Sequence, residues 1–305
     1  MSEAAADAAT DAPAGPGIAL SARPMVRLLA PIRFHEVFTL QGSPLLGAIL
    51  AVHEVTISNL PTAVALIAGS CCLVAHVFLL NDWAGIDGDL RDSRRADRAF
   101  TTKGADRDEV CILAMAALFA SLLIFAWLGA TALTLALAIA GLSALYSAPS
   151  LHLKGQPIVN SLLHLFGGVL HFLLGYATFA AIDLRGIAIG LFFGLVFTAG
   201  HFMHETRDHD GDFINGIRTN AVAFGKMRCF AAGLATFTLA YVLIIALAIG
   251  GLVPKLLFLS AALYPLHAYV SWQTMRASLS SDSLRRLQRF YHRIFALIGL
   301  LLVVG

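Results

Sequence analysis

The chain has 305 residues, of which 58% are hydrophobic and only 13% charged, with a formal net charge of +2. A soluble domain of this size carries about 25% charged residues, so the composition places the chain in the membrane class. The small net charge gives no support for a nucleic-acid partner. Cys71, Cys72, Cys111 and Cys229 show no metal-ligand spacing and read as packing residues.

Residues 1–22 are rich in Ala, Gly and Pro and include Glu3, Asp7 and Asp11, which predicts a flexible tail. They show neither a transit-peptide pattern nor a signal-peptide layout, which favours a bacterial inner membrane over an organelle. Residues 23–305 are expected to form a single transmembrane domain. Stretches free of Lys, Arg, Asp and Glu run from Val55 to Leu80, Val110 to Leu153, Gly155 to Ile182, Gly186 to His204, Cys229 to Pro254 and Leu256 to Trp272. A spanning helix needs about 20 mostly apolar residues. Val110 to Leu153 therefore holds two spans, turning near Gly129. A shorter run from Val37 to Val52, with Pro44 inside it, and a last one from Arg289 to Gly305 bring the expected number of spans to nine. Lipid offers the backbone no hydrogen bonds, so the expected fold is all-α, a polytopic bundle around a central cavity.

A cytoplasmic N-terminus puts loops 81–109, 149–157, 204–228 and 273–288 inside. Of the 21 Lys and Arg, only Arg185 and Lys255 then fall on the other side, a strong positive-inside bias.

Two acid-rich segments, Asn81–Asp89 and Glu205–Asp212, each follow an apolar run and fall on this same predicted side. Their loops carry basic residues, among them Arg94, Arg95, Arg98 and Lys103 in the first and Arg218, Lys226 and Arg228 in the second, in a weak internal repeat. Asp82 and Asp89 are two turns apart and share a face if the helix continues; so do Glu205, Asp208 and Asp212. Asp87 and Asp210 lie off these stripes, and Gly85, Gly88 and Gly211 weaken a straight helix. Crowded carboxylates at a membrane edge call for positive charge, most simply a divalent metal with a phosphate-bearing substrate. Solvated loop acids are the plainer alternative, disfavoured by the paired placement. An EF-hand is ruled out, because Phe213 and Thr219 stand where its Gly and Glu belong.

These residues resemble the UbiA-type intramembrane aromatic prenyltransferases, whose motifs run N-D/Q-x-x-D-x-x-x-D and D-x-x-x-D. Asn81, Asp82 and Asp89 match the first. Glu205, Asp208, Gly211, Asp212, Gly216, Ile217 and Thr219 match the second as it runs in the homogentisate and chlorophyll branches. Tyr146-Ser147-Ala148-Pro149 with Lys154 is similar to the Y-S-x-P segment and its lysine, and Arg98 matches a loop arginine. Gly85 replaces the middle aspartate of the first motif, with Asp87 as a possible substitute, and His204 stands where relatives have lysine.

The resemblance implies Mg²⁺-dependent transfer of a prenyl group from a prenyl diphosphate to an aromatic or quinone-precursor acceptor. Asp82 and Asp89 would hold one metal, Asp208 and Asp212 another. Asn81, Arg98 and Lys154 would bind phosphate or its water, with Asp87 and Glu205 auxiliary. Tyr146 would stabilise cationic carbon or bind phosphate, with packing at a helix end as its other reading. His164 and His171, seven residues apart, are candidates for acceptor binding or proton acceptance, as is His201, although intramembrane histidines more often bond helix to helix. Two other functions fit less well. A membrane terpene cyclase of the same superfamily is kept open by Gly85, whereas a divalent-ion carrier would place its acids at mid-membrane.

Overall fold

The structure is a computed structural model that describes residues 29–52, 56–92, 96–97, 99–151 and 153–304. The expected tail at 1–22 and the expected phosphate ligand Arg98 lie outside the described residues, as do Arg94 and Arg95. The described residues form α-helices joined by short 3-10 turns, with no strand among them. In chain order the helices are α1 (Phe34–Leu40), α2 (Gly42–Ala51), α3 (Leu60–Asp89), α4 (Arg107–Leu128), α5 (Ala130–Ser147), α6 (Val159–Ala177), α7 (Leu184–Ile214), α8 (Asn220–Phe224), α9 (Lys226–Ile249), α10 (Ser260–Arg276) and α11 (Ser281–Val304).

Among the described residues, 7 helices (α3 to α7, α9 and α11) are long and apolar enough to cross a membrane. The other two expected spans fall short of that measure. The first is divided into α1 and α2 at Gln41. Pro44 explains the break: it has no N–H to donate, and its ring would collide with the Leu40 carbonyl in a continuous helix. The eighth, α10, has 17 residues and Pro265 inside it. The single run Val110 to Leu153 turns at Gly129, whose φ of 134° is open only to glycine. Ahead of it, Asp106 and Glu109 form a reciprocal capping box that starts α4, at 2.7 and 3.0 Å.

Helices α3 and α7 are the longest, at 30 and 31 residues. At about 1.5 Å per residue each is roughly 45 Å long, half as long again as a hydrocarbon core of about 30 Å.

Helices near one another in sequence pack side by side: α3 on α4, α6 on α7, and α7 on α9 across the short α8. The broken first span packs across α6, and there glycine is required. A Cβ at Gly175 would lie 1.8 Å from the Pro44 carbonyl oxygen, and one at Gly47 would lie 2.3 Å from that of Phe172. Without a hydrophobic drive between helices in lipid, such close backbone approach is a main source of association. Gly175→Ala is therefore expected to lower stability by about 1–3 kcal/mol through overpacking. Gly167→Ala, with nothing within 4 Å, is its neutral control. Thermal unfolding in detergent measures both; equal midpoints for the two variants would contradict this crossing.

Candidate active site

The glycines in the acid segments do not break their helices. α3 continues through Gly85 and Gly88 to Asp89, and α7 through Gly211 to Ile214. Their C-terminal ends meet: a Cβ at Gly88 would lie 3.6 Å from the Asn215 side chain at the end of α7. The turn at Leu153–Gly155, which carries Lys154, also reaches this end, since a Cβ at Gly155 would lie 3.6 Å from Arg218 N. Both acid clusters thus share one end of the bundle. Arg185 marks the opposite end, donating to the carbonyls of Leu252 and Leu50 at 2.9 and 3.4 Å.

The two acid segments concentrate negative charge for a reason beyond their side chains. A helix C-terminus carries about half a negative charge and ordinarily attracts Lys or Arg. The last turns of α3 and α7 contain no basic residue and instead hold Asp89 and Asp212. Cations come from before α1, from within α7 and from α9. Arg33, just before α1, forms a two-pronged ion pair with Asp82, with Nε 3.0 Å from Oδ2. Arg207 grips Asp208 at 2.8 and 3.0 Å and is braced by Gln288 of α11 at 2.8 Å. Lys226 pairs with Asp210 at 3.0 Å. Lys154 lies close enough to both Asp82 and His164 for their charges to interact. Asp212 is buried, and Asn81, Asp82, Asp89 and Asp208 are partly buried.

Two expected ligands are placed elsewhere. Asp87 is turned away from the Asp82–Asp89 stripe; its side chain is 70% exposed and 3.5 Å from Arg107. The reason is helical phase, since 100° per residue puts position 87 on the far side of α3 from 82 and 89. It therefore does not replace the aspartate missing at Gly85. A Cβ at Gly85 would meet only Asp89 Oδ2, at 3.9 Å. Glu205 points into the protein and is 4% exposed. Its Oε1 accepts from Asn160 Nδ2 at 2.6 Å and from Asn220 N at 3.4 Å, and its Oε2 accepts from Asn220 Nδ2 at 2.9 Å. Cys229 Sγ and His201 Nε2 approach at 3.6 and 3.2 Å. With both oxygens engaged by protein donors, Glu205 organises α6, α7 and α8 rather than the rim.

Beside this cage the rings of His164 and His201 stack at 3.6 Å, and Tyr146 meets His164 edge-on at 5.2 Å. His171, deeper along α6, lies 3.1 Å from Ser70 of α3. Arg33, Arg207, Asn160 and Asn220 are the participants that sequence reading missed. The available signals were an arginine inside the second acid segment and a buried amide in an uncharged run.

Among the described residues no three His, Cys, Asp or Glu side chains form a ready-made metal cage. Carboxylate donors without a cage suit Mg²⁺, which uses one or two carboxylates and completes its shell with substrate phosphate and water.

Residues 42–295 match the UbiA prenyltransferase family, and the chain belongs to that family. It is thus an integral membrane enzyme of the prenyltransferase class. A UbiA homolog from Archaeoglobus fulgidus bound to GPP and Mg²⁺ shares the fold, with TM-score 0.71, 15% identity, and coverage of 92% of this chain and 100% of that one. A UbiA homolog from Aeropyrum pernix K1 gives TM-score 0.69 and 20% identity over 89% and 98% of the two chains. A digeranylgeranylglyceryl phosphate synthase gives TM-score 0.70 and 15% identity over 92% and 98%. No curated protein matches the sequence significantly.

Asn220→Ala removes the side-chain donor to Glu205 Oε2, leaves only the backbone N–H to Oε1, and so leaves a buried carboxylate short of a partner. The expected cost is about 1–3 kcal/mol, read as a lowered unfolding midpoint. Combining it with Glu205→Ala should restore part of the loss; a double variant as unstable as the sum of the singles would contradict the cage.

Proposed function

We propose that this chain transfers a prenyl group from a prenyl diphosphate to an aromatic or quinone-precursor acceptor, with Mg²⁺ at the acid rim. The observation that carries the reading is the meeting of the α3 and α7 ends, the two helix ends that carry Asp82, Asp89, Asp208 and Asp212. The Mg²⁺- and GPP-bound relative of the same fold supports the ligand class. When bound, Mg²⁺ neutralises charge on the departing diphosphate. Asp82 and Asp89 would hold one ion and Asp208 and Asp212 the other.

Arg33, Lys154 and Arg207 supply fixed positive charge where the diphosphate oxygens gain negative charge, which lowers the barrier to breaking the allylic C–O bond. Arg98 is assigned to the same task, and Asn81 to orienting phosphate or water. Tyr146 presents an aromatic face to cationic carbon. His164 and His171 face the acceptor. The prenyl tail lies among the apolar inner faces, shielded from water that would trap the cation. By the positive-inside pattern this rim opens to the cytoplasm, in a bacterial inner membrane.

Incubating the purified chain with labelled prenyl diphosphates of several lengths and a panel of phenolic acids tests the reading. Diphosphate release should require Mg²⁺ and stop on chelation. Asp82→Ala and Asp212→Ala should lower turnover by at least about 10³-fold, the scale of losing metal-borne charge stabilisation, while leaving membrane insertion intact. Full activity in both variants would refute the metal assignment. Gly85 in place of the motif's middle aspartate favours a terpene cyclase as the second reading; a cyclic product formed without acceptor would establish it.

A further inference from the structure

The stacked histidines have a polarity that hydrogen bonding fixes. His164 Nδ1 lies 2.7 Å from the Asn160 carbonyl oxygen, which can only accept. Its proton therefore sits on Nδ1, and the neutral ring keeps a lone pair on Nε2. His201 lies flat against the ring, with planes 13° apart. Behind it stands the Glu205 carboxylate, 3.2 Å from His201 Nε2.

His164 is partly buried. The outer face of α6 is marked by Leu162 and Phe166, 45% and 54% exposed. At 100° per residue, position 164 is diametrically opposite the midpoint of that pair. It therefore faces the inside of the bundle, where Tyr146 meets it edge-on and where Lys154 lies close to both His164 and Asp82.

Resting on the prenyl-transfer reading, we propose that His164 Nε2 is the base that removes a proton from the acceptor. The ring π-electrons of the acceptor form the new C–C bond as the allylic C–O bond breaks and its electron pair leaves on diphosphate. The C–H bond at the attacked carbon then breaks, its pair restores the aromatic ring, and the proton moves to Nε2. Glu205 offsets the positive charge this creates. His201 is a positioning residue that holds the His164 ring and separates it from the carboxylate. A base here selects an acceptor class: a phenol with an open ring position, as opposed to an acceptor that expels CO₂ from the attacked carbon and has no proton to lose there.

The test uses the full chain in proteoliposomes with Mg²⁺ and geranyl diphosphate. The acceptors are hydroquinone and 4-hydroxybenzoate, each also in ring-deuterated form. In His164→Gln, transfer should fall about 10²-fold further than acceptor-free diphosphate release does, the usual share of a general base. A ring C–D isotope effect missing from the parent should appear, because proton loss becomes the slow step. Added imidazole should restore transfer in His164→Gly. Unchanged transfer in His164→Gln would overturn the assignment, and so would a loss with neither isotope effect nor imidazole rescue, since that is structural damage. A parent that consumes geranyl diphosphate but prenylates neither phenol overturns the base alone. A parent with no Mg²⁺-dependent consumption overturns the prenyl-transfer reading as well.

Discussion

Concentrated negative charge at one end of the bundle is the constraint to which the rest of the structure answers. Carboxylates in the last turn of a helix stand against its dipole, at about 0.3–1 kcal/mol each. The chain tolerates two such helix ends side by side because cations gather beside them, Arg33 from before α1 and Arg207 from within α7 itself. Arg33 comes from 49 residues before Asp82. Arg207 is held on its far side by Gln288 of α11, 81 residues away. The first segment and the last helix are thereby tied to the acid rim, and assembling the site and closing the bundle become one event. Such a rim has a standing affinity for cations.

Deeper in, polar chemistry follows another rule. At the rim, charges are paired across water-accessible space. Around Glu205 the partners are amides, a thiol and the His201 ring, gathered on one carboxylate in a region with almost no solvent. Satisfied networks of this kind fix a unique packing, whereas a half-satisfied one would be worse than an apolar core. The cage joins α6, α7 and the start of α8 just below the second acid segment, so the direction in which Asp208 and Asp212 leave the membrane is set by buried amides.

Much of this was legible in the sequence, because membrane crossing imposes length and apolarity on each segment independently. The turn at Gly129 could be read from the length of its run. The continuity of α3 and α7 could not: local propensity favours breaks at Gly85, Gly88 and Gly211, and it is overridden where small residues let helix ends touch. Spacing alone put Glu205 on a stripe with Asp208 and Asp212. Nothing in that spacing shows that Asn160, 45 residues earlier, and Asn220, 15 residues later, turn it inward. Arg33 was hidden for the same reason, since a pairing across dozens of residues leaves no periodic trace.

The surplus length of α3 and α7 has a consequence for encounter rates. Helices about half as long again as the hydrocarbon layer carry their final turns up to the depth of lipid headgroups. A substrate with a charged head and a greasy tail already floats at that level, head outward. It can arrive by lateral diffusion within one leaflet, without ever being lifted out of it. The quantity that then governs saturation is the number of molecules per unit area of membrane, not the amount dissolved in the surrounding water.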